Sequence, residues 1–147
     1  MPWINPYKQM VNTRTLYKFE GEFFNKKEYK YLLRRLTLKK LNAIAKHVWN
    51  KERISYAMPT IRFGKGIHHC GQPVSWCDGT TIELIPEQRE ISTLLHELVH
   101  AAGHYLHNAK FVNTYVKYLT KYTSIPKKEL VNTMKEYNVD LPKKYRK

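Results

Sequence analysis

Residues 91–103 read Ile91-Ser92-Thr93-Leu94-Leu95-His96-Glu97-Leu98-Val99-His100-Ala101-Ala102-Gly103. Ile91, Leu94, Leu95, Leu98, Val99 and Ala102 recur at helical spacing, which predicts one buried helix stripe that stops at Gly103. His96 and His100 are four residues apart, so they sit about 40° apart around the axis and about 6 Å apart along it. Two imidazoles so placed can converge on one metal ion. Glu97 lies one position off that line, where it can take a proton from a metal-activated water rather than bind the metal. The H-E-x-x-H pattern thus carries the division of labour of metal-assisted peptide hydrolysis.

A catalytic zinc site has three protein ligands and a position left for water, so a third donor is expected. His104 and His107 are the near candidates. On a continuous helix His104 would lie about 12 Å beyond His96, too far for ligands that must each stand about 2 Å from one ion. A chain reversing at Gly103 brings His107 back toward the ion from the start of the next helix. The geometry favours His107.

Two families share these pieces. The longer metzincin signature would put its third ligand at position 106, which is Leu106, and is the poorer match. The run Leu94-Leu95-His96-Glu97-Leu98-Val99-His100-Ala101, followed by His107-Asn108-Ala109-Lys110-Phe111, resembles the SprT-like and related small zinc metallopeptidases of bacteria and phages. There a helix of the form L-L-H-E-L-x-H-A precedes a third His that opens an H-x-x-x-F helix. The likeness spans roughly residues 38–141, with specific motifs only from 80 to 119, and position 108 is Asn where that family commonly has Gly. It implies a zincin-like domain, His96, His100 and His107 as zinc ligands, Glu97 as general base, and protein substrates attached to DNA.

Around this centre the chain reads as α+β. Thr37 is a candidate cap for a helix carrying Leu38, Leu41, Ile44, Ala45, Val48 and Trp49, ending near Lys51. Asn25 is read as capping a shorter helix with Tyr29, Leu32, Leu33 and Leu36, and Thr15 to Glu20 as an edge strand. Residues 60–63 and 80–85 read as strands and 64–79 as loop. Phe111, Val112, Tyr115, Val116, Tyr118, Leu119 and Tyr122 mark a helix after the metal helix, and Pro126 opens a last one with Leu130, Val131, Met134 and Tyr137. The expectation is a single zincin-like domain over 1–147: N-terminal helices, a small sheet, the H-E-x-x-H helix and a third-ligand helix. The strand beside the metal helix would offer its edge to an extended peptide.

At 147 residues and 42% apolar composition the chain suits one core. No stretch reads as a membrane span or a secretory signal, so a cytoplasmic location is expected. Charge is the outlier, with 26 Lys and Arg against 12 Asp and Glu, a net +14. Residues 1–53 carry 13 basic and 4 acidic side chains, 121–147 carry 8 and 3, and the segment between them 5 and 5. Basic flanks around a neutral centre favour DNA or another polyanion as a partner beside the protein substrate. The resulting expectation is a zinc metallopeptidase acting on nucleic-acid-associated proteins. Its alternative is a basic nucleic-acid-associated protein whose zinc is structural.

Weaker candidates complete the reading. His68, His69, Cys70 and Cys77 lack the short spacing of a zinc knuckle, and the two cysteines are expected as free thiols. Tyr105 or Tyr115 could donate to a tetrahedral oxyanion, although Tyr115 on an aromatic stripe suits a core. Asp78 or Glu83 could orient a ligand imidazole.

Overall fold

The computed structural model describes residues 5–69 and 72–146, with five α-helices and five short strands among them. In chain order these are α1 (Pro6–Phe23), α2 (Leu38–Lys51), β1 (Thr60–Phe63), β2 (Ile67–His69), β3 (Gln72–Val74), β4 (Trp76–Cys77), β5 (Thr81–Leu84), α3 (Ile91–Ala101), α4 (Ala109–Tyr122) and α5 (Lys127–Glu136). The class is α+β with a small mixed sheet. The chain forms two compact units, one of Lys30–Gly103 and one of the described parts of Met1–Tyr29 and His104–Lys147.

The Lys30–Gly103 unit is built on a three-stranded sheet, β1-β5-β4, in which β5 runs parallel to β1 and antiparallel to β4. Ile61, Ile82 and Leu84 point to one face and are buried, and α2 and α3 pack on this sheet. Thr37 caps α2 by accepting the Lys40 N–H at 3.2 Å, and Leu41, Ala45 and Val48 leave no exposed surface. Because β5 is the middle strand, the strand expected to present an edge is flanked on both sides, and the sheet's edges are β1 and β4.

Residues 64–79, read as loop, hold the β2–β3 hairpin and β4. Two or three residues per strand are too few for a periodic pattern, and long-range contacts fix these strands instead. Glu83 accepts from Arg62 Nε at 2.7 Å, the Gly66 N–H at 2.8 Å and Trp76 Nε1 at 3.2 Å, joining β1, the hairpin's approach and β4. Gly66 has φ +75°, and a Cβ there would stand 2.3 Å from the Val74 carbonyl oxygen. Only glycine fits that turn.

The other unit is helical. Thr15 to Glu20 lies inside α1 and forms no strand. Asn5 accepts the Tyr7 and Lys8 N–H groups at 3.0 and 3.3 Å, Pro6 takes the first helical position, and Leu16, Phe19 and Phe23 bury one stripe at helical spacing. The short-range alternation around Tyr17 is overridden by that stripe. Asn25 does not open a helix either: its amide donates back to the Gly21 carbonyl at the end of α1, and a 3₁₀ turn, Lys30–Leu33, follows. α5 packs against α1 and α4, with Phe111, Val112, Tyr115, Val116, Leu119, Leu130 and Met134 buried. No described helix is long and apolar enough to cross a membrane.

Candidate metal centre

α3 begins after Glu90, whose carboxylate accepts from Ser92 Oγ at 3.3 Å and Thr93 Oγ1 at 3.0 Å. Leu94, Leu95, Leu98 and Val99 are wholly buried. His96 is 5% and Glu97 6% exposed, and the His96 and His100 rings stand 5.1 Å apart at 67°. The helix ends where the Ala102 N–H reaches the Leu98 carbonyl at 3.0 Å and Gly103 turns left-handed with φ +109°. The helix therefore breaks at the glycine, as the spacing predicts.

Cys77 on β4 is half-buried, and α3 packs beside β4. Burial pushes its thiol up to about 11, and the charges of Glu97 and Asp78 add to this. The Gly79 N–H, donated to Sγ at 3.3 Å, works the other way. Below that range the side chain is a neutral thiol, consistent with a free cysteine and unsuited to thiolate ligation in this form. Cys70 lies outside the described residues.

His107 stands just before α4, and Asn108 caps that helix by accepting the Phe111 N–H at 3.1 Å. His107 is 9% exposed. Thr13 Oγ1 of α1 lies 2.9 Å from its Nδ1, and the rings of Tyr17 and Phe111 meet it edge-on with centroids at 5.5 and 5.0 Å. The Asp140 carboxylate accepts the Ala109 N–H at 3.1 Å and the Asn12 amide at 3.3 Å, and pairs with Arg146 at 3.0 Å.

One nitrogen each of His96, His100 and His107 lies within 4.8 Å of the other two, close enough for a metal ion to bind. Three imidazoles are a donor set that suits zinc and its first-row neighbours, so the residues fit the group the spacing implies. His104 is not in this group. Its Nε2 is 3.2 Å from Thr114 Oγ1, and burial, with the Lys110 charge adding, holds its pKa below the usual imidazole value.

The weaker candidates fall elsewhere. Tyr115 is fully buried and donates to Glu20 at 2.6 Å, a core role, whereas Tyr105 is exposed. Asp78 closes the turn before β5 by accepting from the Thr80 and Thr81 N–H groups at 2.9 and 2.8 Å, which with the Thr80 hydroxyl holds its carboxyl below the usual range. The Glu83 carboxyl is lowered first by the Gly66 N–H and further by Arg62 and Trp76. A polar contact on a candidate ligand comes from Thr13, a hydroxyl 94 positions away in sequence. An N-cap at Asn5 was the one available signal, because it sets Thr13 and Tyr17 on one helix face. Compared with family models, with curated proteins and with solved structures, the chain matches none of them.

Proposed function

We propose that this chain is a zinc metallopeptidase with a zincin-like active site, acting on nucleic-acid-associated proteins. The observation that carries the reading is the grouping of three imidazoles with a buried carboxylate that directly follows one of them, Glu97 after His96. His96, His100 and His107 would hold the zinc. When bound, zinc supplies Lewis-acid polarisation of a scissile carbonyl and acidifies water.

The chain's own residues do the rest. Glu97, about 100° around α3 from His96, would accept the proton of the attacking water on a carboxylate oxygen and return it to the leaving amine nitrogen. β4 has β5 on one side and α3 packed beside it, so its outer edge can take an extended peptide by main-chain hydrogen bonds. The link to nucleic acid rests on charge: Lys39, Lys40, Lys46 and Lys51 are exposed on α2, a helix with no acidic residue.

A second reading, structural zinc without hydrolysis, is favoured by the burial of His96 and His107. Glu97 separates the two, since a structural site has no use for a carboxylate at that place. Glu97→Gln keeps the shape and the three imidazoles. Cleavage of an unstructured protein, measured at equal zinc content, should fall by about 10²- to 10⁴-fold. Full activity of the variant would end the peptidase mechanism. Absence of cleavage by the unmodified protein, with and without DNA, would favour the structural reading instead.

A further inference from the structure

We infer that Thr13 is the positioning residue of the third metal ligand: its hydroxyl oxygen accepts the Nδ1 proton of His107 and so presents Nε2 as the coordinating nitrogen. The inference rests on the metal-binding reading and adds to it the residue that orients the ligand.

A neutral imidazole carries one N–H and one lone pair, and a hydrogen bond to either nitrogen selects the tautomer. Thr13 Oγ1 stands 2.9 Å from Nδ1, a normal hydrogen-bond length. With Nδ1 as the donor, the lone pair is on Nε2. Metal-binding histidines are held in this manner by an acceptor on the second nitrogen, which fixes ring orientation as well as tautomer.

The surroundings leave the ring little freedom. Tyr17, one turn after Thr13 on α1, meets it at 67°, and Phe111, on the first turn of α4, meets it at 78°. The hydroxyl itself is carried by an 18-residue helix whose Leu16, Phe19 and Phe23 are wholly buried, so its position is fixed by core packing. Next to Thr13, Asn12 binds the Asp140 carboxylate that also receives the Ala109 N–H two residues after the histidine. Through neighbouring side chains α1 therefore holds both the ring and the backbone that carries it.

The test uses the full chain. Zinc affinity is measured by competition with a chromophoric chelator for the unmodified protein, Thr13→Val, Thr13→Ser and His107→Ala. Valine keeps the shape without an acceptor and should weaken zinc by about 10- to 100-fold, while serine should restore the affinity. Equal affinity of Thr13→Val, or failure of a folded Thr13→Ser, overturns the inference and leaves the metal reading standing. An unmodified protein that binds no zinc overturns both. A second measurement needs no variant: long-range ¹H–¹⁵N spectra of the metal-free protein should show His107 as the Nδ1–H tautomer. The Nε2–H tautomer there would overturn the inference even if every variant misfolded.

Discussion

Gly103 lies against Tyr56: a Cβ built on residue 103 would stand 3.2 Å from the Tyr56 ring carbon Cε2, in a backbone conformation with φ +109°. The backbone is the stricter constraint, because Tyr56 is exposed and its ring can yield. Gly103→Ala should cost about 1–3 kcal/mol in denaturant unfolding. Most of that loss should persist when Tyr56 is also changed to Ala. A double variant as stable as Tyr56→Ala alone would show that the ring contact, rather than the left-handed turn, sets the cost.

Asp140 is expected to matter more than the cation it pairs with. Its carboxylate serves the first N–H of α4 and the Asn12 amide as well as Arg146, whose side chain is 55% exposed. Asp140→Ala should destabilise by about 1–3 kcal/mol through the partners it strands. Arg146→Ala should cost under about 1 kcal/mol, as exposed pairs do. Comparable losses in thermal unfolding would refute this ranking.

Purified protein should carry close to one zinc per chain by elemental analysis. His96→Ala, His100→Ala and His107→Ala should each lose it, and His104→Ala should keep it. Loss of a ligand should also lower the melting temperature, since an ion bound only by the folded chain adds its binding free energy to folding. Zinc retained by His107→Ala but lost from His104→Ala would invert the assignment of the third ligand.

The Cys77 thiol gives the chain an alkaline limit. The group ionises near 9.0 when exposed and near 11 when folded. The unfolded state therefore releases its proton first as pH rises, and stability falls between these values. In a Cys70→Ser background, Cys77→Ser should remove that part of the alkaline decline. At pH 8 alkylation of Cys77 should run far slower than that of an exposed cysteine, because the thiolate is the nucleophile. Rapid labelling of the folded protein would contradict the shift.

Binding to duplex DNA should weaken steeply with salt, because each neutralised phosphate releases counterion. Replacing Lys39, Lys40, Lys46 and Lys51 by Gln should lower both affinity and the slope of log affinity against log salt. Salt-independent binding, or none at low salt, would end the polyanion reading.

What could be read in the sequence was what repeats locally. α2, α3, α4 and α5 each show a buried stripe at helical spacing, and α3 adds a motif whose spacing has direct geometric meaning. The break at Gly103 followed from the same reasoning. α1 was hidden because Thr15 to Glu20 alternates over a few residues, while the cap at Asn5 and Pro6 lies ten positions upstream. β2, β3 and β4 are shorter than any period, and Glu83 on β5 draws together β1, Gly66 and β4 from 7 to 21 residues away. The hydroxyl beside His107 is a meeting of positions 13 and 107, which no window of the sequence contains.

The division of the chain also sets an order of events during synthesis. Lys30–Gly103 is continuous in sequence, so all of its partners have been made once Gly103 has left the ribosome. α1 is made first, yet α5, against which it packs, emerges about 100 residues later, at ordinary translation rates a delay of about 5–20 s. Throughout that interval Leu16, Phe19 and Phe23 lack the later helix against which α1 packs. The contact between Thr13 and His107 cannot form before residue 107 has emerged, and the Asp140 clasp follows later still. The third imidazole of the group is therefore the last to be held in place as the chain is made.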